Sequence, residues 1–180
     1  TGADGLNQLR VVHVGLDAVG VTVHRMPATS FAPEITHGRL SFENVSIAAD
    51  AVLAGDGYTD YIRPFRTVED THVSAAILGH LIGIGNRFAW PQSVRADLVN
   101  LVVNLRSIAM SNPGAPEIHV ALGGFFTAYG TVLERIAPCW ERVLPEMRER
   151  WQRDRAIVNV AGAVRGKRLE AAWQRIDARG

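Results

Sequence analysis

The chain has 180 residues, 47% hydrophobic and 21% charged, and its 19 Lys+Arg against 18 Asp+Glu leave a net charge of +1. This is the composition of a globular protein, one compact domain with an attached piece, and it supplies no overall field for capturing nucleic acid or an acidic membrane. A single cysteine, Cys139, excludes an intrachain disulfide, and no run of Cys and His has zinc-site spacing, so a reducing, cytoplasmic setting is expected. The longest uncharged stretches, residues 73–86 and 118–133, fall short of the roughly 20 apolar residues of a spanning helix, which predicts no membrane span. Thr1 follows no methionine and opens no leader, so the chain reads as part of something longer.

The first sixty residues read as strand. Residues 11–16 and 21–25 are β-branched runs separated by Asp17-Ala18-Val19-Gly20, which predicts a hairpin. In residues 39–47, apolar Leu40 and Phe42 alternate with polar Arg39, Ser41 and Glu43, and the phase shifts at Asn44 as at a bulge or turn. About three antiparallel strands result, too few to bury their own apolar positions and edges. A linker follows, Ala54-Gly55-Asp56-Gly57-Tyr58, and from Thr67 the period becomes helical. Thr67 with Asp70 three residues on reads as a cap, and Val68, Ala75, Gly79, Ile82 and Asn86 then share a face. Pro91 opens a second helix carrying Val94, Leu98, Leu101, Leu105 and Ile108, which Asn112-Pro113 stops. Pro116 opens a third, with Ile118, Leu122, Phe125, Tyr129, Leu133 and Ile136 inward and Pro138 at its end. Trp140, Leu144, Met147 and Trp151 make a further stripe, and Ile157, Val160, Val164 and Ile176 continue the period. Four or five helices with short connections pack most simply as an antiparallel bundle.

Chemical motifs are sparse. None of the six histidines forms HExxH, and His72 and His80 lie two turns apart, roughly 12 Å, too far to share a metal, so no metal site is expected. His80, between Gly79 and Leu81, reads as a histidine hydrogen-bonded in a bundle core. Gly162-Ala163-Val164-Arg165-Gly166-Lys167-Arg168 has one residue too few between its glycines for a phosphate loop and Arg168 where Ser or Thr should hold magnesium; it reads as helix. Gly79 and Gly83 suit a close backbone approach. Cys139 has no histidine nearby in sequence to activate it. Residues 141–180 hold ten Lys+Arg against six Asp+Glu, and Arg142, Arg148, Arg150, Arg153 and Arg155 read as a solvated face with partners such as Glu146 to Arg150, without the aromatic platform of a nucleic-acid module.

One stretch is more specific. Phe42-Glu43-Asn44-Val45-Ser46-Ile47-Ala48-Ala49-Asp50-Ala51-Val52-Leu53-Ala54-Gly55-Asp56-Gly57-Tyr58 resembles the junction between the middle β-domain and the C-terminal helical domain of the acyl-CoA dehydrogenase family, with Ala48 where the family has proline. Glu69, Ala75 and Leu78-Gly79 are similar to the opening of that family's helical domain, and residues 11–27 to its late strands. The resemblance implies an α+β chain, with residues 1–58 the end of a β-domain and 59–180 a C-terminal four- or five-helix antiparallel bundle. It implies an oxidoreductase acting on the CH–CH bond of an acyl thioester such as acyl-CoA, with FAD as cofactor and a homodimer or homotetramer as the assembly. The base in most members precedes Gly-Thr; Ala161 stands at the nearest local match here, and Glu69, on the first helix, occupies the position other members use, making it the one candidate catalytic residue. The family's Arg-x-x-Phe-Gly nucleotide loop is replaced by Phe88-Ala89-Trp90-Pro91, the later Gln…Gly-Gly stretch is missing, and Asp70 stands where an arginine usually faces a CoA phosphate. These departures leave a second expectation open, a non-catalytic relative whose bundle serves as an oligomerisation or partner-binding module.

Overall fold

The β-branched runs make one hairpin-like ribbon. β1 (Val21–Arg25) and β2 (Gly38–Phe42) pair antiparallel, with Val21 opposite Phe42 and Val23 opposite Leu40. That register sets these four apolar side chains on one face and Thr22, His24, Arg39 and Ser41 on the other, where His24 Nε2 meets Ser41 Oγ at 3.0 Å. The computed structural model describes residues 8–159 and 162–179. The chain divides into two compact units, one ending at Pro64 and one starting at Phe65.

In the first unit, residues 11–16 are not the partner of β1, contrary to the hairpin expected from the turn at 17–20. Two successive turns, Ala18 N–H to Gly15 O and Val21 N–H to Ala18 O, reverse the chain without a ladder. Residues 9–13 instead run beside 51–57, with Leu53 N–H donating to Val11 O and Gly57 N–H to Leu9 O, each at 2.9 Å. Gly20 decides this. It adopts φ +89°, its carbonyl accepts from Glu43 N–H at 2.8 Å, and a Cβ there would fall 2.1 Å from Glu43 O, so the tight approach goes to the end of β2. The phase shift at Asn44 is a real feature, since β2 ends at Phe42 and Asn44 turns at φ +52°.

The second unit is a helical bundle: α1 (Arg63–Arg87), α2 (Gln92–Ala109), α3 (Pro116–Ile136), α4 (Pro145–Asp154) and α5 (Gly162–Asp177), with 3₁₀ turns at Ala137–Arg142 and Arg155–Asn159. α3 is central and packs on both α2 and α5. The expected stripe of α2, Val94, Leu98, Leu101, Leu105 and Ile108, is its buried stripe. On α3, Leu122, Phe125, Tyr129 and Ile136 are buried as expected, His119 and Val132 join them, and Ile118 and Leu133 are partly buried. Trp140 meets Trp90 edge-on at 5.5 Å between centroids and stacks on Trp151 at 5.2 Å, so the aromatic stripe is a column with Met147 beside it, while Leu144 is exposed. On α5 Val164 is exposed and Ala172 is the buried contact; Val160 lies outside the described residues.

α1 departs most from expectation. Asp56 accepts from Thr59 N–H at 2.7 Å and starts a π-helical turn, Gly57–Ile62, that continues into α1, so the helix is under way before Thr67 and needs no cap there. Its buried face is Thr67, Asp70, Thr71, Ser74, Leu78, Leu81 and Ile84, turned by about one residue, roughly 100°, from the face read off the apolar spacing. Gly79 and Gly83 consequently have open space where a Cβ would stand, and His80 is exposed rather than in the core. The close approaches occur elsewhere. A Cβ on Gly123 would lie 2.9 Å from Leu169 of α5, and one on Gly85 would lie 3.2 Å from the Trp90 ring. No helix among the described residues is long and apolar enough to cross a membrane.

Tyr129, 1% exposed, places its hydroxyl in the core without a hydrogen-bond partner among the described residues, and burial pushes its ionisation well above the ordinary value, only partly opposed by Arg165. The folded state therefore favours the neutral phenol, and stability falls as pH rises past about 10, where an unfolded tyrosine ionises. In Tyr129→Phe, urea denaturation at neutral pH should show stability unchanged or raised by up to ~1 kcal/mol, with a shallower alkaline decline. A loss above ~1 kcal/mol at neutral pH would mean that the hydroxyl is bonded.

Candidate functional site

The inner face of α1 begins with polar side chains, and a carboxylate carried there must find cations on the helices packed against it. Asp70, 3% exposed, finds them on α5. Arg165 donates Nε and Nη2 to Asp70 Oδ1 at 3.1 and 2.9 Å, donates Nη1 to Val158 O at 2.6 Å, and lies with its guanidinium carbon 3.8 Å above the Phe126 ring. Arg168, one turn on, brings Nη1 to 3.6 Å from Asp70 Oδ2 and donates Nη2 to Thr67 Oγ1. Spacing three apart on a helix puts both guanidiniums on one face.

His119 of α3 closes the cluster. Its Nε2 lies 2.9 Å from Pro113 O, an acceptor only, and 3.2 Å from Arg168 Nη2, a donor only, while its Nδ1 faces Arg175 Nη2, also a donor only, at 3.4 Å. With hydrogen on Nε2 the ring donates to Pro113 O and accepts from Arg175 at Nδ1, and Arg168 Nη2 then packs beside Nε2 without a hydrogen bond to it. Thr67 Oγ1 also reaches Pro113 O, at 3.1 Å, which ties α1 to the α2–α3 connection. The space enclosed by Asp70, His119, Phe126, Arg165 and Arg168 is about 20 Å³, room for one water and no organic substrate. The cluster is thus a clamp joining α1, α3 and α5.

The candidate residues fall on both sides of this clamp. Glu69 lies on the flank of α1, its side chain 39% exposed, with one oxygen 2.7 Å from Arg66 Nη1. Asp70, expected to alter the charge presented to a phosphate, points into the bundle with its charge answered. Ala161 lies outside the described residues. The run resembling a phosphate loop is the first half of α5, as read, but its Arg165 and Arg168 are the clamp, a role its glycine spacing does not signal. The usable signal is Thr67, Asp70, Thr71 and Ser74 at helical spacing, a polar stripe in line with apolar Leu78 and Leu81. Cys139 is buried in the 3₁₀ turn after α3. Among the described residues no group of three or more His, Cys, Asp or Glu is placed to hold a metal. Between α1 and α2, residues 88–91 turn at once into the next helix, with Ala89 at φ +47° and Trp90 turned into the core.

Comparison with protein-family models, with curated proteins and with solved structures finds no match to this chain.

Removing the Asp70 carboxylate strands two guanidiniums inside the bundle. Asp70→Ala should cost about 3–5 kcal/mol in urea denaturation, whereas Asp70→Leu combined with Arg165→Met and Arg168→Met should recover most of that loss, because an apolar cluster has no desolvation to offset. Equal stability of Asp70→Ala and the unmodified chain would show that the clamp holds nothing.

Proposed function

We propose that the chain is the C-terminal part of an acyl-CoA-dehydrogenase-like oxidoreductase, acting on an acyl thioester, with FAD contacts contributed by residues outside this sequence. The observation that supports it best is the order of parts. The end of an antiparallel ribbon passes through the 42–58 junction into a long helix, and on that helix Glu69 stays accessible while its neighbour Asp70 is turned inward. In this reading Glu69 takes a proton from the carbon beside the thioester carbonyl. Arg66, at 2.7 Å, has to release the carboxylate as substrate arrives. The residues described here supply no nucleotide cradle, so no redox step is derived from them. A longer protein carrying this segment should be yellow as purified and should bleach with an acyl-CoA. Glu69→Gln should keep the colour and slow bleaching by about 100-fold or more. A colourless protein that takes up no added FAD would end this reading.

The outer face of α2 favours a second reading, the oligomerisation module. Val99, Val102, Val103 and Met110 recur at helical spacing on the side opposite the buried stripe, with Val99 50% and Val103 60% exposed, so α2 is apolar on two faces. A homodimer or homotetramer would cover that second face. Sedimentation of the unmodified chain should then show a dimer or tetramer, and Val99→Glu with Val103→Glu should yield a helical monomer. A monomer in the unmodified chain at every concentration would remove the motive.

A further inference from the structure

Across α1 and α4 lies a cleft of about 350 Å³ that neither reading uses. Its floor is Ile77 of α1, Trp151 of α4 and Ile157, partly buried side chains packed against the core. Its rim is His80, Arg150 and Asp154. The residues arise from simple spacing: 77 and 80 are one turn apart on α1, and 150, 151 and 154 share one side of α4. The volume suits a body of roughly 10–15 non-hydrogen atoms, within the range of small-molecule sites. Trp151 is an apolar wall held in place from behind, since its other face is stacked on Trp140 with the rings 8° from parallel.

The charges on the rim select the sign of the occupant. Both Asp154 oxygens are held in a fork by Arg153, at 2.7 and 2.8 Å, so that carboxylate is already compensated and offers little to a cationic ligand. Arg150 does not pair with Glu146 as the i,i+4 spacing suggests; among the described residues neither Arg150 nor His80 is engaged in a hydrogen bond or ion pair. A fork-shaped donor set on Arg150 and a ring nitrogen on His80 therefore overhang an apolar floor. A planar anion with an apolar tail matches that arrangement.

From the apolar floor and its uncompensated basic rim we infer that the α1–α4 cleft is a binding site for a small apolar monocarboxylate, its carboxylate on Arg150 and His80 and its body on Trp151, Ile77 and Ile157. The inference goes beyond both functional readings and needs neither flavin nor oligomer. The probe is 3-phenylpropanoate, with 3-phenylpropan-1-ol as the neutral match, titrated into the ¹⁵N-labelled chain while the Trp151 indole N–H is followed, its assignment fixed by Trp151→Phe. The acid should shift that resonance saturably, with Kd near 1 mM or below. Arg150→Gln should weaken the acid about tenfold or more and leave the alcohol unchanged. Arg150 is exposed, so the variant's circular dichroism and melting should match the unmodified chain. No saturable shift up to about 10 mM, equal affinity for acid and alcohol, or an Arg150→Gln variant that binds the acid as well as the unmodified chain would each overturn the inference. So would a Trp151 signal that answers only to protein concentration, which would mean that a second copy covers the cleft.

Discussion

A carboxylate taken out of water has to be met by cations and donors in fixed geometry, and Asp70 imposes that condition on the bundle. Its two partners sit on the last helix, ninety-five residues away along the chain for Arg165, so the first and last helices must reach one register before the charge can be buried. The ion pair carries specificity rather than net strength, because the attraction it gains is largely offset by the water it gives up. Apolar packing, with α3 between α2 and α5, supplies the favourable energy. The clamp removes alternatives in which α1 is rotated or α5 slides by a turn, since either would leave a charge unanswered.

That division of labour explains what could be read from the sequence. Where burial is apolar, the spacing is sufficient: the stripe of α2 follows residue for residue, and most of α3 follows too, with prolines marking both starts. Where burial is polar, the spacing misleads. The inner face of α1 opens with Thr67, Asp70, Thr71 and Ser74, and counting only apolar or small residues places the face about one residue away. Thr67 and Asp70 have a capping box's spacing and a clamp's function, and the difference lies in Asp56, which had already started the helix. In the strand region, turn residues were legible and their partners were not, because a turn says that the chain reverses and leaves open which segment it reverses toward.

The site divides in the same way. Glu69 is found through the resemblance of its surroundings to a family, and the structure leaves it on an accessible flank of α1. Arg165 and Arg168 stand in a segment whose glycines invite comparison with a phosphate loop, and only the position of Asp70 in space gives those two arginines a role. His119 carries no motif at all. Its part follows from the Pro113 carbonyl and the guanidiniums of Arg168 and Arg175 around its ring, an arrangement that no linear spacing expresses.

The short connection between α1 and α2 has a consequence that reaches the α1–α4 cleft. With only residues 88–91 available to turn, Trp90 is driven inward, where Gly85 leaves room for its ring; any Cβ there would press against it at 3.2 Å. Trp90 then meets Trp140 edge-on, and Trp140 stacks on Trp151, which is the wall of the α1–α4 cleft. Three indoles in series thus connect a turn in the chain to a surface depression. Close packing makes such a column stiff, because each ring is held by the next and none can rotate alone. A longer loop between α1 and α2 would free Trp90 and remove the support behind Trp151.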